Sequence, residues 1–257
     1  MLLATVSRIF ECEDSMLYKH KPALKSGQDL RTLPTYTIPE AAEYLAIDAW
    51  TLLDWYSKRE PVLKPSGWYG EAEAFALLSF ENLDEAYKVY LLRTKYHYSM
   101  QYLRKALADA RRESGSDHPL IDPQCRIYVF DHLALETKAR RGIQRPHKMI
   151  PLGARHKPFY IGEVVKTWGT RIIEDSKGRT KQIFPWRFAA KDEQSRPVSL
   201  QPDVMSGRLV VTGTRIPVRV LANRVSAGET PEELAKDYGI SPELIEKALV
   251  HFDPQTP

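Results

Sequence analysis

A mainly α-helical chain with small β segments, an α+β fold, is expected from three observations. Two stretches, residues 36–60 and 229–249, each hold a short capped helix, a tight turn and a second capped helix. Apolar residues recur at helical spacing from Leu83 to Ala110. Short apolar-rich runs separated by turn residues fill 159–188, which is strand grammar. The expected architecture is two helix-turn-helix domains joined by a basic linker and a short β-hairpin or sheet segment.

A chain of 257 residues has room for about two domains. The divisions expected are a loose N-terminal arm (1–34), a first helix-turn-helix domain (35–138), a basic linker with a β segment (139–197) and a second helix-turn-helix domain (198–257). Pro22, Gly27 and Pro34 punctuate the arm, which shows no sustained period. No apolar run approaches the ~18 residues a membrane helix needs. The N-terminus is too short and too quickly acidic for a signal peptide. Cys12 and Cys125 stand far apart and read as free thiols in a reducing cytoplasm. Residues 139–197 carry 14 basic and 5 acidic side chains, a net of +9, so the basic excess lies in the middle of the chain. Such a segment suits a polyanion, or else an ordinary solvated surface.

In chain order, Thr37 can cap a helix that starts with Pro39, and Glu40 three positions on completes a capping box. Ala46-Ile47 breaks that helix and Asp48 caps a second one through Trp55. The small Ala41 and Ala42 let the two helices cross closely. Pro65, Gly67 and Gly70 around Trp68 and Tyr69 suit a wing-like hairpin. From Phe75 to Glu113 the reading is helical, with Ser99 capping the second of two helices. The stretch 127–137 reads as one strand followed by a short helix or turn. Val198–Leu200 and Leu209–Val211 read as strands with a turn at 203–207 between them. Pro217 opens a helix that Gly228 ends. Thr230 and Glu233 form a second capping box, Gly239 breaks that helix, and Ser241 caps the last one.

The two helix-turn-helix segments align at one constant offset of 193 residues. Ala42 corresponds to Ala235, Leu45 to Tyr238, Ala46 to Gly239, Ile47 to Ile240, Asp48 to Ser241 and Leu52 to Ile245. A second helix of this kind presents side chains to base edges while flanking cations hold phosphates. The N-terminal one offers Trp50, Thr51 and Asp54, followed by Lys58 and Arg59. The basic linker adds Arg140, Arg141, Arg145 and Lys148. The C-terminal copy offers Lys247 beside Glu243 and Glu246, with Arg208, Thr214, Arg215, Arg219 and Arg224 ahead of it. The acidic C-terminal helix makes the N-terminal copy the better DNA reader, and leaves dimerisation or partner contact open for the other.

Residues 199–250 run close to a pattern written PxVxxGxPVVxGTRIPVxVLxxxxxAGxxxEELAxDYxLSxExIxxAL. Matches fall at Pro202, Val204, Gly207, Val210, Val211, Gly213, Thr214, Arg215, Ile216, Pro217, Ala227, Gly228, Glu233, Leu234, Asp237, Tyr238, Ser241, Ile245 and Ala248. This stretch resembles a small family long known as a domain of unknown function, whose members are often described as antitoxins. The chain departs from it at Arg208-Leu209, where the family usually has Lys or Arg and then Pro. Residues 36–110, through IPEAAEYL, LLSFENLDEA and YLRKAL, look like the MerR-like helix-turn-helix found upstream of that domain in longer VapB-type antitoxins. The resemblance implies the antitoxin of a type II toxin–antitoxin pair, a PIN-like ribonuclease toxin as partner, and repression of its own operon.

No nucleophile elbow, GxxxxGK, HExxH or GxGxxG occurs, and the seven histidines are scattered. Acidic pairs such as Glu232-Glu233 sit at helix starts, where the helix dipole favours them. No enzymatic activity, cofactor or metal is therefore expected. The function expected is a cytoplasmic, homodimeric, DNA-binding antitoxin and repressor acting on double-stranded DNA. A stand-alone MerR-like regulator and a protein-interaction module without DNA binding remain open.

Overall fold

The computed structural model describes residues 27–57, 61–69, 75–129, 133–137, 148–152, 171–185 and 196–252. The first unit opens with strand β1 (Tyr36–Thr37), which runs directly into α1 (Ile38–Leu45) and then α2 (Ala49–Ser57). Thr37 Oγ1 accepts from the Glu40 amide while Glu40 Oε2 accepts from the Thr37 amide, so the expected capping box is formed. A hairpin follows, β2 (Gly67–Tyr69) and β3 (Phe75–Leu78), giving an antiparallel sheet in the order β1-β3-β2. Two long helices complete the unit, α3 (Phe80–Thr94) and α4 (Met100–Ser114).

Phe75–Leu78 was expected to begin a helix and is a strand. Its four residues place Ala76, Leu77 and Leu78 in the core while pairing with β1 and β2. The helix starts only after Ser79, whose hydroxyl accepts from the Asn82 amide. A second correction concerns 133–137. Strands β4 (Cys125–Val129), β5 (Leu133–Thr137) and β6 (Lys148–Pro151) form one antiparallel sheet, so residues 133–137 are a second strand where a short helix or turn was expected. A hairpin, β7 (Ile172–Glu174) and β8 (Thr180–Ile183), turns at the expected Asp175–Gly178. The possible turn at Trp168-Gly169 lies outside the described residues.

The last unit pairs β9 (Val198–Ser199) with β10 (Val210–Val211) and carries α5 (Val218–Ser226), α6 (Pro231–Tyr238) and α7 (Pro242–Leu249). Its repeat of the first unit extends to atomic detail. Helices α1 and α6 have eight residues each and keep the offset of 193. Each ends in a residue of left-handed conformation, Ala46 at φ 53° and Gly239 at φ 66°. The turn is closed by the same hydrogen bond in both: Ile47 N–H to the Ala42 carbonyl at 2.9 Å, and Ile240 N–H to the Ala235 carbonyl at 3.2 Å. Asp48 and Ser241 then cap the following helix through Thr51 and Leu244.

A continuous core joins these pieces. Ala41, Leu45 and Leu52 from the first unit, and Leu221, Leu234, Ile245 and Ala248 from the last, belong to one buried cluster. Full burial of each leucine or isoleucine contributes about 1.5–3 kcal/mol. Helix α3 is buried on nearly every face, and its polar residues Asn82, Asp84, Glu85 and Lys88 go inside with it. Lys88 Nζ donates to Asp84 Oδ2 at 3.0 Å and to the Leu120 carbonyl at 3.2 Å. Glu85, with no exposed surface, meets His118 Nδ1 at 2.8 Å. Residues 27–34 of the expected loose arm are held in place. A 3-10 turn at Leu30–Thr32 sets Arg31 between Asp29 and Asp175, and Arg179 reaches Asp29 from the β7–β8 turn.

The two turns predict opposite effects of one exchange. A left-handed residue with a Cβ costs roughly 1–2 kcal/mol relative to glycine, and a Cβ at Gly239 meets nothing within 4 Å. Ala46→Gly should therefore raise stability by about 1 kcal/mol and Gly239→Ala lower it by a similar amount, read as shifts in the urea unfolding midpoint. The Glu85 pair predicts a pH dependence. Its hydrogen bond raises the His118 pKa above the ordinary 6.5, so the folded chain binds this proton more tightly than the unfolded one. That stabilisation is fully present below pH 6.5 and is lost as pH rises through the higher folded value. His118→Gln should flatten the part of the stability profile that lies above pH 6.5, relative to the wild type.

Candidate nucleic-acid interface

The first helix-turn-helix places α2 for contact and the hairpin β2–β3 beside it in sequence. Leu52, Trp55 and Tyr56 anchor α2 in the core, which fixes its opposite face outward. Trp50 is 63% exposed on that face. Thr51 is exposed beside it, with its hydroxyl donating to Asp48 Oδ1 at 3.0 Å, so it serves the cap. Asp54 is committed elsewhere: Arg104 of α4 donates to its carboxylate at 2.8 Å. The hairpin adds two exposed aromatics, Trp68 and Phe75. Helix α2 thus exposes Trp50 and Thr51 beside its cap Asp48, with Asp54 paired to Arg104, while Trp68 and Phe75 alternate to opposite faces of the hairpin.

Asn82 holds the base of the hairpin. Its Oδ1 accepts from the Ser66 amide at 2.9 Å, the Ser66 hydroxyl at 2.6 Å and the Ser79 amide at 3.1 Å, and its amide donates to the Lys64 carbonyl at 2.8 Å. All of these lie in or next to the core, where an unmade bond costs about 1–3 kcal/mol. Lys64 itself pairs with Asp117.

The last unit packs against α1. Tyr36 donates its hydroxyl to the Gly207 carbonyl at 3.0 Å. Arg219 of α5 pairs with Glu43, and the His251 ring meets the Tyr44 carbonyl at 2.9 Å, satisfying a group that the helix end leaves open. Tyr36 and Tyr44 meet edge to face, with ring centres 6.1 Å apart. Burial pushes the Tyr44 phenol up to about 12 and that of Tyr36 higher still. Gly207 sits at φ 80°, and a Cβ there would lie 1.8 Å from the Tyr36 oxygen. Only glycine fits that approach.

The remaining candidates divide. Arg208 and Arg215 are exposed and make no ion pair among the described residues. Thr214 is structural: its hydroxyl donates to the Val211 carbonyl at 2.9 Å and accepts from the Ile216 amide at 3.0 Å. Lys247 pairs with Glu243 at 2.8 Å. Arg224 pairs with Glu229 and Asp237 and lies 5.4 Å from the Tyr238 ring centre, so it braces its own unit. Lys58, Arg59, Arg140, Arg141 and Arg145 lie outside the described residues. Lys148 begins β6, but its side chain lies outside the described part. No group of three His, Cys, Asp or Glu able to hold a metal ion occurs among the described residues. No described helix is long and apolar enough to cross a membrane.

Residues 198–251, with their β-pair and three helices, match the model of one family. It is described as a protein of unknown function, DUF433. No curated protein matches the chain at a significant level. Among solved structures, the chain is similar to the X-ray crystal structure of Rv2018 from Mycobacterium tuberculosis. The TM-score is 0.53 at 19% identity, over 84% of this chain and 98% of that one. At that identity the likeness is one of fold. It spans more than the DUF433-like unit and takes in much of the first unit as well.

Asn82, Tyr36 and Arg104 were missed in the sequence. Asn82 carries a signal, because Ser-x-x-Asn before an apolar run is a variant of the capping box. Tyr36 and Arg104 carry none, since their partners lie 171 and 50 residues away.

The Tyr36–Gly207 approach predicts a coupled pair of variants. Gly207→Ala should cost about 3 kcal/mol through strain and overlap, and Tyr36→Phe about 1 kcal/mol through the lost hydrogen bond. The double variant should cost less than the sum, because removing the phenol oxygen relieves the closest overlap. Urea unfolding of all three variants measures the coupling.

Proposed function

We propose that this protein is a DNA-binding antitoxin that represses its own operon and neutralises a PIN-like ribonuclease toxin. The observation that supports DNA binding best is the winged arrangement of the first unit. A helix-turn-helix with α2 facing outward through Trp50 is followed by a hairpin clamped at its base by Asn82. In this reading α2 enters the major groove, and Arg208, Arg215 and the basic linker hold phosphates. Two copies of the chain read half-sites one helical turn apart, ~34 Å. The toxin partnership draws on the likeness of residues 199–250 to a family of described antitoxins, and the site of action is the cytoplasm.

A second reading is favoured by the described face of α2, which exposes an indole and has its carboxylate tied to Arg104. On that reading the first unit is a protein-binding module and touches no DNA.

One titration separates the two. The full chain is bound to DNA from upstream of its own gene over a series of salt concentrations. Phosphate contact makes the logarithm of the affinity fall steeply and linearly with the logarithm of salt. Trp50→Ala should weaken binding about tenfold without changing the slope, because an uncharged contact releases no counterion. Arg215→Ala should reduce the slope by about 1. Absence of retention at low salt would sink the DNA reading. Co-purification with the product of the adjacent gene, and loss of its ribonuclease activity in the complex, tests the antitoxin role.

A further inference from the structure

A cavity of about 220 Å³ lies between the Leu30–Thr32 turn, the first turns of α3, the loop after α4 and strand β8. Its wall carries charges of both signs. Asp84 gives Oδ2 to Lys88 and to Thr180, whose hydroxyl donates at 2.5 Å, but Oδ1 is buried and has no hydrogen-bond partner. Arg179 gives Nη1 to Asp29. Its Nε lies 3.5 Å from Asp175 Oδ2, too far for a well-formed hydrogen bond, and is likewise buried without one. Glu81 lines the same cavity and makes no ion pair among the described residues. Its carboxyl is raised by burial and by the charge of Asp29. His118 has Nδ1 on Glu85, and its Nε2 has no hydrogen-bond partner among the described residues.

Buried polar atoms without partners are few in folded proteins, and each charged one costs more than a neutral one. Here an orphaned acceptor and an orphaned donor belong to two residues of one wall. A metal ion does not fit, because the described residues supply no suitable ligand set. An inorganic dianion would meet Asp84 and Glu81, and a polycation would meet Arg31 and Arg179. The volume lies below the ~300 Å³ at which pockets for larger ligands begin. What suits both signs and this size is a small molecule with a cationic and an anionic end.

We infer that the cavity is a binding site for a free α-amino acid, with the ammonium on Asp84 and Glu81 and the carboxylate on Arg179 and His118. The zwitterion offers opposite charge to the two residues that hold the orphaned atoms. It also bears on the rest of the molecule, because Glu81 and Asp84 flank Asn82 on the first turns of α3.

The test uses the full chain without DNA or partner, so its outcome stands apart from the proposed regulatory role. Each proteinogenic L-amino acid is added singly at millimolar concentration, and binding is read by thermal midpoint and by calorimetric titration. At least one should raise the midpoint. Its decarboxylated amine and its deaminated acid should each bind at least about tenfold more weakly. Asp84 is tied to Lys88 and Thr180, so variants are made at the more accessible Glu81→Gln and Arg179→Gln. Each should weaken binding by about tenfold or more while the circular dichroism spectrum is unchanged. A midpoint that no amino acid moves overturns the assignment. So does binding that is equally tight for the amine or the acid alone, or that is indifferent to both variants.

Discussion

Helix α1 is the piece on which both ends of the chain lean. The strand that enters it carries Tyr36 into the space left by Gly207. Its last turn offers Glu43 to Arg219 and the Tyr44 carbonyl to His251. Its other face packs on α2, which it sets at the angle fixed by the left-handed Ala46. A disturbance at the Tyr36–Gly207 contact is therefore felt on two sides: by the DUF433-like unit and by the helix proposed to enter DNA. The two units are bound through one short helix of eight residues, which is a stiffer coupling than a linker of 59 residues would suggest.

Helix α3 is the second organising element, and it works by taking charge inside. A helix buried all round is normally apolar. This one buries Asn82, Asp84, Glu85 and Lys88 and gives each of them at least one partner from another element. The partners come from the hairpin base, the loop after α4 and strand β8. Local charge pairing thus ties loops to the core, and it leaves a cavity with charged groups in its wall where the ties do not quite meet.

The two helix-turn-helix units were legible because their code is local. Capping residues, a left-handed position and apolar spacing all lie within twenty residues, and the same letters recur at a fixed offset. The strand Phe75–Leu78 was not, because four apolar residues suit a strand or a helix equally until a pairing partner is known. The polar side of α3 was not, because Asp, Glu and Lys at helical spacing read as a solvated face. The signature Gly207 stood out in sequence, but its reason, a phenol 171 residues upstream, did not. Of the candidate contacts, Trp50 and the arginines at 208 and 215 are free to act, whereas Asp54, Thr214 and Lys247 are spent on internal bonds. Sequence spacing shows which side chains share a face; it does not show what is already holding them.

The same long-range contact has a consequence for synthesis. Tyr36 emerges from the ribosome well before Gly207 exists. At roughly 5–20 residues per second, the 171 residues between them take roughly 10–30 s to make. During that interval the first unit can form its own helices, but the part of α1 that meets Arg219 of α5 and His251 stays uncovered. Until the last unit is made, the Tyr36 hydroxyl and the Tyr44 carbonyl lack the Gly207 and His251 partners that satisfy them in the fold.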